Sequence, residues 1–136
     1  MCTVKRISPI LFVDEIEPVL LFWDRLGFEK TAEVPHEGRC GFVILEKDGL
    51  EVMYQTRASL EDDVPAMSKT PLAGTILYME VDDIEDVMVA MEGESVVVPR
   101  RRTFYGMDEV FVREPGGHVV GFAQISEVAE GAPRPA

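Results

Sequence analysis

The chain has few cysteines, histidines and basic residues, and each shortage excludes a class of protein. Its 136 residues include two cysteines and two histidines, too few for a disulfide framework or a zinc-type ligand cluster. Lysine and arginine total 13 against 25 acidic residues, a net charge of −12, which disfavours nucleic acid because phosphates would be repelled. No apolar run approaches the roughly 20 residues of a membrane span. We therefore expect a cytoplasmic protein with reduced thiols at Cys2 and Cys40 and no nucleic-acid or membrane partner.

A near-repeat divides the chain into halves. The phrase "VDEIEPV" at residues 13–19 returns as "VDDIEDV" at residues 81–87, an offset of 68 residues, which is half of the 136-residue chain. Gly49 and Gly117 each precede the last apolar run of their half, and they too are 68 residues apart. Two anchors at one offset predict two equivalent structural units.

Both halves show the same order of predicted elements, which is one strand, one helix and three strands. An apolar run at residues 7–13 precedes a helical stripe that ends at Gly27. Runs rich in β-branched and aromatic residues follow, and in the second half a helix with an acidic first turn ends at Gly93. The polar, proline-containing residues 56–73 are expected to connect the halves, and "PRRRTFYG" at residues 99–106 reads as a loop.

This pattern predicts an α+β fold with two βαβββ modules that form a curved mixed sheet around a cup, because a four-stranded sheet with one helix leaves one face uncovered. We expect a single domain at residues 1–127, with module one at 5–56 and module two at 73–126. Residues 128–136 are expected to form a flexible tail.

Two longer stretches resemble a known family. "FWDRLGFEK" at residues 22–30 and "VREPGGHVVGFAQ" at residues 112–124 are similar to the vicinal oxygen chelate superfamily, which includes glyoxalases, ring-cleaving dioxygenases, epimerases and antibiotic-resistance proteins. The resemblance covers residues 7–125 and is greatest to the bleomycin-resistance type. It implies a small acidic homodimer that sequesters a cationic drug.

The resemblance also implies where a metal would bind, because enzymes of this superfamily carry His or Glu ligands on the first and last strands of each half. Those positions fall on Ser8 in the first strand and Ile76 in the fifth, on Gly121 in the last, and on Met53 or Glu51 in the fourth. One carboxylate does not make a metal site. We therefore expect no metal and no cofactor.

Residues outside those positions offer little for catalysis. His36 and His118 fall in a predicted loop and a predicted turn, and the paired aspartates are more typical of a solvated loop and a helix start than of a metal cluster. Neither cysteine has a recognisable histidine partner, and no Gly-x-Ser-x-Gly elbow occurs. We expect no catalytic residue.

Counting by twos along the strands predicts the residues that line the cup. Three more residues come from the "PRRRTFYG" stretch, where an arginine beside aromatic rings could clamp a ligand or could belong to a solvated basic loop. The predicted ligand-binding residues are Ser8, Phe12, Glu51, Met53, Tyr78, Arg102, Phe104, Tyr105 and Gly121. Alternatively these side chains fill the interior, but Gly121 and Ala123 are expected to leave space for a ligand. Glu51, if buried, would need a cation nearby or a raised pKa.

These observations predict a metal-independent, small-molecule-binding homodimer of the bleomycin-resistance type, with a planar or cationic ligand. The alternative is an enzyme, a glyoxalase- or dioxygenase-like lyase or isomerase that uses a cup carboxylate such as Glu51 as its base. The sequence leaves open the identity of the ligand, the arrangement of the dimer and the choice between Glu51 and Met53.

Overall fold

The structure, a computed structural model, describes residues 5–66 and 75–126. The chain divides into two compact units, Met1–Ala73 and Gly74–Ala136, and each contains a four-stranded mixed sheet. The predicted α+β architecture with two βαβββ modules is therefore confirmed. Cys2 and the predicted tail at 128–136 lie outside the described residues. No helix among the described residues is long and apolar enough to cross a membrane.

Unit 1 has the strand order β1-β4-β3-β2, in which β1 is parallel to β4 and the other pairs are antiparallel. Its elements are β1 (Ile10–Val13), α1 (Glu17–Asp24), β2 (Glu29–His36), β3 (Arg39–Lys47), β4 (Leu50–Thr56) and α2 (Arg57–Asp63). Helix α1 has a proline in its first turn, where a backbone amide would have no hydrogen-bond acceptor within the helix. After α1 the chain turns at Gly27, whose φ of 84° suits glycine.

The core of unit 1 lies between α1 and the sheet. Val19, Phe22 and Trp23 on α1 are buried. The Trp23 Nε1 donates a hydrogen bond to the Tyr54 hydroxyl of β4 at 2.9 Å. Tyr54 therefore points towards α1, and its neighbours Met53 and Gln55 point to the other side of the sheet, because side chains alternate along a strand. We call the side of each sheet opposite α1, or opposite α3 in unit 2, its far face.

Unit 1 contains a helix that the sequence did not indicate, and its first strand begins later than predicted. The connection predicted at 56–73 begins with a helix, α2. The Thr56 hydroxyl caps this helix by accepting a hydrogen bond from the Ser59 amide at 3.1 Å, and Leu60 is buried. Residues 67–74 lie outside the described part. Strand β1 begins at Ile10 rather than at residue 7. Pro9, which has no amide hydrogen, precedes the strand, and Ser8 lies just before it.

Unit 2 repeats the arrangement with the strand order β5-β8-β7-β6, and β5 is parallel to β8. Its elements are β5 (Ile76–Glu80), α3 (Ile84–Ala90), β6 (Ser95–Arg102), β7 (Met107–Arg113) and β8 (Val119–Ile125). The Asp83 carboxylate caps α3 by accepting hydrogen bonds from the amides of Glu85 and Asp86. The Ile84 amide donates to the Gln124 side chain at 2.8 Å, so Gln124 faces α3 and Ala123 lies on the far face.

Strand β6 extends further than the sequence indicates. Arg101 and Arg102 pair with Glu109 and Asp108 of β7, so the arginine stretch expected as a loop is the end of an edge strand. Its register shifts between Val98 and Arg101, where Pro99 interrupts the pattern of amide donors. Arg101 and Arg102 therefore point to opposite faces of the sheet.

The strand registers align far-face residues in rows across each sheet. In unit 1 one row contains Phe12, Gln55, Phe42 and Val34. The matching row of unit 2 contains Glu80, Ala123, Glu109 and Arg101. The next rows are Ile10, Met53 and Ile44 in unit 1, and Tyr78, Gly121 and Phe111 in unit 2.

Candidate functional site

A buried carboxylate lies on the far face of unit 2. Glu109 of β7 is 0% exposed. The Tyr78 hydroxyl donates a hydrogen bond to its Oε1 at 2.6 Å, and the Tyr105 hydroxyl donates to the same oxygen at 3.4 Å. The Arg101 guanidinium approaches Oε2 through Nε at 3.0 Å and Nη2 at 2.8 Å. We call Tyr78, Arg101, Tyr105 and Glu109 the Glu109 cluster.

The contacts within the Glu109 cluster explain how a charged group is accommodated in the sheet. An unpaired buried carboxylate would cost several kcal/mol, at least about 3, whereas this one is paired and hydrogen-bonded on both oxygens. Burial, and then the hydrogen bond to Glu109, raise the pKa of Tyr78. The hydrogen bond to Glu109 likewise raises the pKa of Arg101. At neutral pH the cluster therefore contains a protonated tyrosine donor and a cationic guanidinium.

Two further aromatic rings contact the tyrosines of the Glu109 cluster. The Tyr78 and Phe111 rings lie 5.8 Å apart with an interplanar angle of 34°. The Phe104 and Tyr105 rings meet edge to face at 5.0 Å, and Phe104 is 88% exposed. Exposed aromatic surface beside buried polar groups is a common arrangement for recognition of small molecules.

Gly121 does not leave the space that the sequence suggested. A Cβ atom at this position would lie 2.5 Å from Phe111 Cε2 and 3.0 Å from Tyr78 Cδ1. The two rings already occupy the room above the glycine, so Gly121 permits their packing rather than providing a cavity. Ala123, the other small residue, is 0% exposed.

Arg102 lies on the other side of the sheet from the Glu109 cluster. It pairs with Asp108, whereas Arg101 pairs with Glu109, and paired residues share a face. The Arg100 guanidinium contacts Asp108 at 2.9 and 3.0 Å and Glu85 of α3 at 2.6 Å, which places the Asp108 side towards α3. Hydrogen bonding to Arg100 lowers the pKa of Asp108. The arginine that meets Tyr78 and Tyr105 is therefore Arg101, which the sequence analysis did not select.

The far face of unit 1 holds a second, smaller polar group. The Ser8 hydroxyl donates a hydrogen bond to Glu51 Oε2, and Arg6 Nη1 lies 3.5 Å from the same oxygen. The Glu51 side chain is 6% exposed. The cation expected near a buried Glu51 is thus Arg6. Met53 and Phe12 are half-buried on the same face, so Glu51 and Met53 share the side on which the resemblance implies a ligand.

The positions at which the resemblance implies metal ligands do not carry a ligand set. In unit 1 they offer the Glu51 carboxylate, already bonded to Ser8 and Arg6, with a thioether at Met53 as the alternative. In unit 2 they are Ile76 and Gly121, whose side chains have no donor atom. A divalent ion of the kind bound by His and Glu needs three or four nitrogen or oxygen ligands. The residues at these four positions therefore do not fit a divalent metal ion.

A histidine and two acids meet elsewhere in unit 1. The ligand atoms of His36, Glu37 and Asp62 all lie within 4.8 Å of one another, and His36 Nε2 is 2.7 Å from Asp62 Oδ2. Helix α2, which the sequence analysis did not predict, brings Asp62 to the β2–β3 turn. The other histidine, His118, lies in a turn as expected, and its amide donates to Glu114 Oε1 at 2.6 Å.

Sequence reasoning missed Glu109 because it counted along the strands on which the resemblance places metal ligands, and β7 is not one of them. It considered the arginine stretch but selected Arg102 rather than Arg101. One signal was present. "DEVFV" at residues 108–112 has two adjacent acids in an apolar strand run, so one acid must face each side of the sheet and one must be buried or paired.

The sequence matches no protein-family profile and no curated protein, but solved structures share its fold. A glyoxalase/bleomycin resistance protein/dioxygenase family enzyme from Burkholderia phytofirmans superposes with a TM-score of 0.69 at 18% identity, covering 87% of this chain and 96% of that one. Lactoylglutathione lyase from Agrobacterium tumefaciens gives 0.65 at 18% identity, covering 89% and 94%. TioX from Micromonospora sp. ML1 gives 0.67 at 19% identity, covering 90% and 99%.

These similarities extend over most of both chains, at identities of 18–19%. They agree with the duplicated βαβββ order and with the parallel β1–β4 and β5–β8 pairs. The chain therefore has the vicinal oxygen chelate fold, the fold of glyoxalase/bleomycin resistance/dioxygenase proteins.

Proposed function

We propose that the chain is a small-molecule-binding protein that works without a metal and binds a planar ligand at the Glu109 cluster. The observation that carries the proposal is the pairing of a fully buried carboxylate with two tyrosines and an arginine beside the exposed Phe104 ring. Buried charge is costly to place in a sheet. Its presence there is easier to explain by recognition than by folding.

Metal independence rests on the donor chemistry described above. Ile76 and Gly121 supply no side-chain ligand in unit 2, and Glu51 in unit 1 is bonded to Ser8 and Arg6. Metal analysis of the purified protein tests this part. The Asp62→Asn variant is the matched control, since it removes one carboxylate of the group formed by His36, Glu37 and Asp62. A stoichiometric ion that survives Asp62→Asn would contradict the proposal.

A ligand panel tests binding itself. Calorimetric titration with bleomycin-type glycopeptides and planar aromatic compounds should give saturable binding to at least one of them. Trp23 is a poor fluorescent reporter because it is 1% exposed and bonded to Tyr54 on the α1 side of unit 1. If no member of the panel binds, the proposed function is wrong.

An enzyme that uses a carboxylate base is the alternative, and the geometry favours it less. Both oxygens of Glu109 accept hydrogen bonds from protein donors, so neither is directed at a substrate proton. Glu51 would be the remaining base, and Glu51→Gln should then abolish turnover while the protein stays folded. Unchanged turnover would remove Glu51 from that role.

We also propose that the protein is a homodimer, as the resemblance implies. Light scattering in solution measures the mass directly, and a mass near the 15.2 kDa of one chain would contradict a dimer.

A further inference from the structure

We infer that the ligand of the Glu109 cluster is a planar aromatic molecule that carries a carboxylate or a comparable anionic group, and that Arg101 receives the anion. The inference rests on the proposed function and specifies the class of its ligand. It differs from the cationic ligand that the net charge of −12 favours.

Glu109 is not available to a cationic ligand. Its Oε1 accepts from Tyr78 at 2.6 Å and its Oε2 accepts from Arg101 at 3.0 Å. The residue is 0% exposed, so a ligand cation would have to displace Arg101 before it could reach the carboxylate. The Arg101 guanidinium would also repel that cation.

Arg101, in contrast, is accessible and held in one orientation. Its side chain is 56% exposed. A guanidinium has five N–H donors in a planar fork, and the contacts with Glu109 use those on Nε and Nη2. Donors therefore remain beyond those that Glu109 accepts. A guanidinium fixed by a buried carboxylate loses little freedom when it binds a second anion, and its fork matches a carboxylate.

The exposed Phe104 ring provides the surface for the planar part of the ligand. Tyr105 contacts Glu109 through its hydroxyl and Phe104 through its ring edge, so the exposed Phe104 ring is connected to the Glu109 cluster through Tyr105. An aromatic acid could place its ring against Phe104 and its carboxylate at Arg101.

The other acid in the same row, Glu80, lies on the opposite edge of the sheet. Glu80 belongs to β5 and Arg101 to β6, with β8 and β7 between them. Three strand spacings amount to about 14 Å, which exceeds the roughly 8 Å screening length at physiological salt. Glu80 therefore does little to repel an anion bound at Arg101.

Three probes with the same ring system test the inference: 2-naphthoate, 2-naphthamide and 2-naphthylmethylammonium. Calorimetry or NMR titration of the full chain should show 2-naphthoate binding at least about tenfold more tightly than the amide, and the ammonium binding most weakly. Arg101→Gln should remove the preference for the acid over the amide. Arg102→Gln, the adjacent arginine on the other face, should leave it unchanged.

Arg101→Lys serves as the second variant, because it keeps a cation beside Glu109 if Arg101→Gln fails to fold. It should weaken 2-naphthoate binding by losing the planar fork while leaving 2-naphthamide binding unchanged. Tighter binding of the ammonium probe than of the acid, or an acid preference that survives Arg101→Gln, would overturn the inference and leave the proposed function standing. Failure of all three probes and of the wider panel would overturn both.

Discussion

The Tyr78 hydroxyl of β5 donates a hydrogen bond across the intervening strand β8 to the buried Glu109 carboxylate of β7 at 2.6 Å. Because the pKa of Tyr78 is raised above its ordinary value of 10.0, the folded protein holds this proton more tightly than the unfolded chain. The resulting stabilisation is fully present below about pH 10 and is lost as pH rises towards the folded pKa.

We therefore expect the free energy of unfolding to fall as pH rises above about 10, and to fall less steeply in Tyr78→Phe. Urea denaturation at a series of alkaline pH values measures this. Tyr78→Phe should also be less stable than the native protein at neutral pH, since Glu109 loses a donor. Parallel curves for the two proteins would show that Tyr78 does not contribute to the alkaline loss.

Gly121 and Phe111 are in close contact on the far face of unit 2. Gly121→Ala would place a Cβ atom 2.5 Å from Phe111 Cε2, and over-packing of this kind typically costs about 1–3 kcal/mol. Chemical denaturation should show that loss. In a double-mutant cycle, Phe111→Leu should relieve most of it, because the two changes act on one contact. Additive effects would contradict the steric explanation.

The Arg100 and Asp108 pair should stabilise unit 2 except in acid. Since the pKa of Asp108 is lowered in the folded state, its contribution is present above the ordinary value of 3.8 and is lost as pH falls through the folded pKa. Asp108→Asn should therefore cost about 1–3 kcal/mol near neutral pH, and the difference from the native protein should shrink below about pH 4.

Glu85→Gln is the matched control for Asp108→Asn, because Glu85 contacts the same guanidinium but is 70% exposed. Exposed ion pairs contribute at most about 1 kcal/mol. If Glu85→Gln destabilised the protein as much as Asp108→Asn, burial would not be the reason for the difference.

Cys40 should react slowly with thiol reagents in the folded protein. Burial and the neighbouring carboxylates of Glu33 and Glu17 raise the pKa of the Cys40 thiol to about 11, which reduces its reactive thiolate roughly a hundredfold relative to a thiol of pKa 9.0. In a Cys2→Ser variant, which isolates Cys40, absorbance assays should show fast labelling only after denaturation. Equal rates with and without denaturant would contradict this.

The order of the elements could be predicted from the sequence because it depends on local periodicity and on turn residues. The repeated phrase at residues 13–19 and 81–87 and the equal offset between Gly49 and Gly117 were sufficient to predict the duplicated order of elements. Helix α2 was missed because its seven residues carry one buried apolar side chain, Leu60, and are preceded by a threonine cap that also fits a turn.

Less of the candidate site could be predicted from the sequence, because the strand register decides which side chains meet on one face of the sheet. Whether Arg101 or Arg102 faces Tyr78 is decided by the shift between Val98 and Arg101 in β6, and a slip of one residue exchanges the two faces. The room above Gly121 was likewise misjudged, because Phe111 comes from the neighbouring strand β7.

The matching rows of the two sheets allow equivalent positions of unit 1 and unit 2 to be compared. At the places that Tyr78, Arg101 and Glu109 occupy in unit 2, the registers of unit 1 place Ile10, Val34 and Phe42. The same strand order thus forms with hydrocarbon at these positions, and the fold does not require a charged group there. Unit 2 therefore carries its buried charge as an addition to an architecture that unit 1 builds with apolar side chains in the same rows, and the residues that differ between the rows are the ones that distinguish the two units chemically.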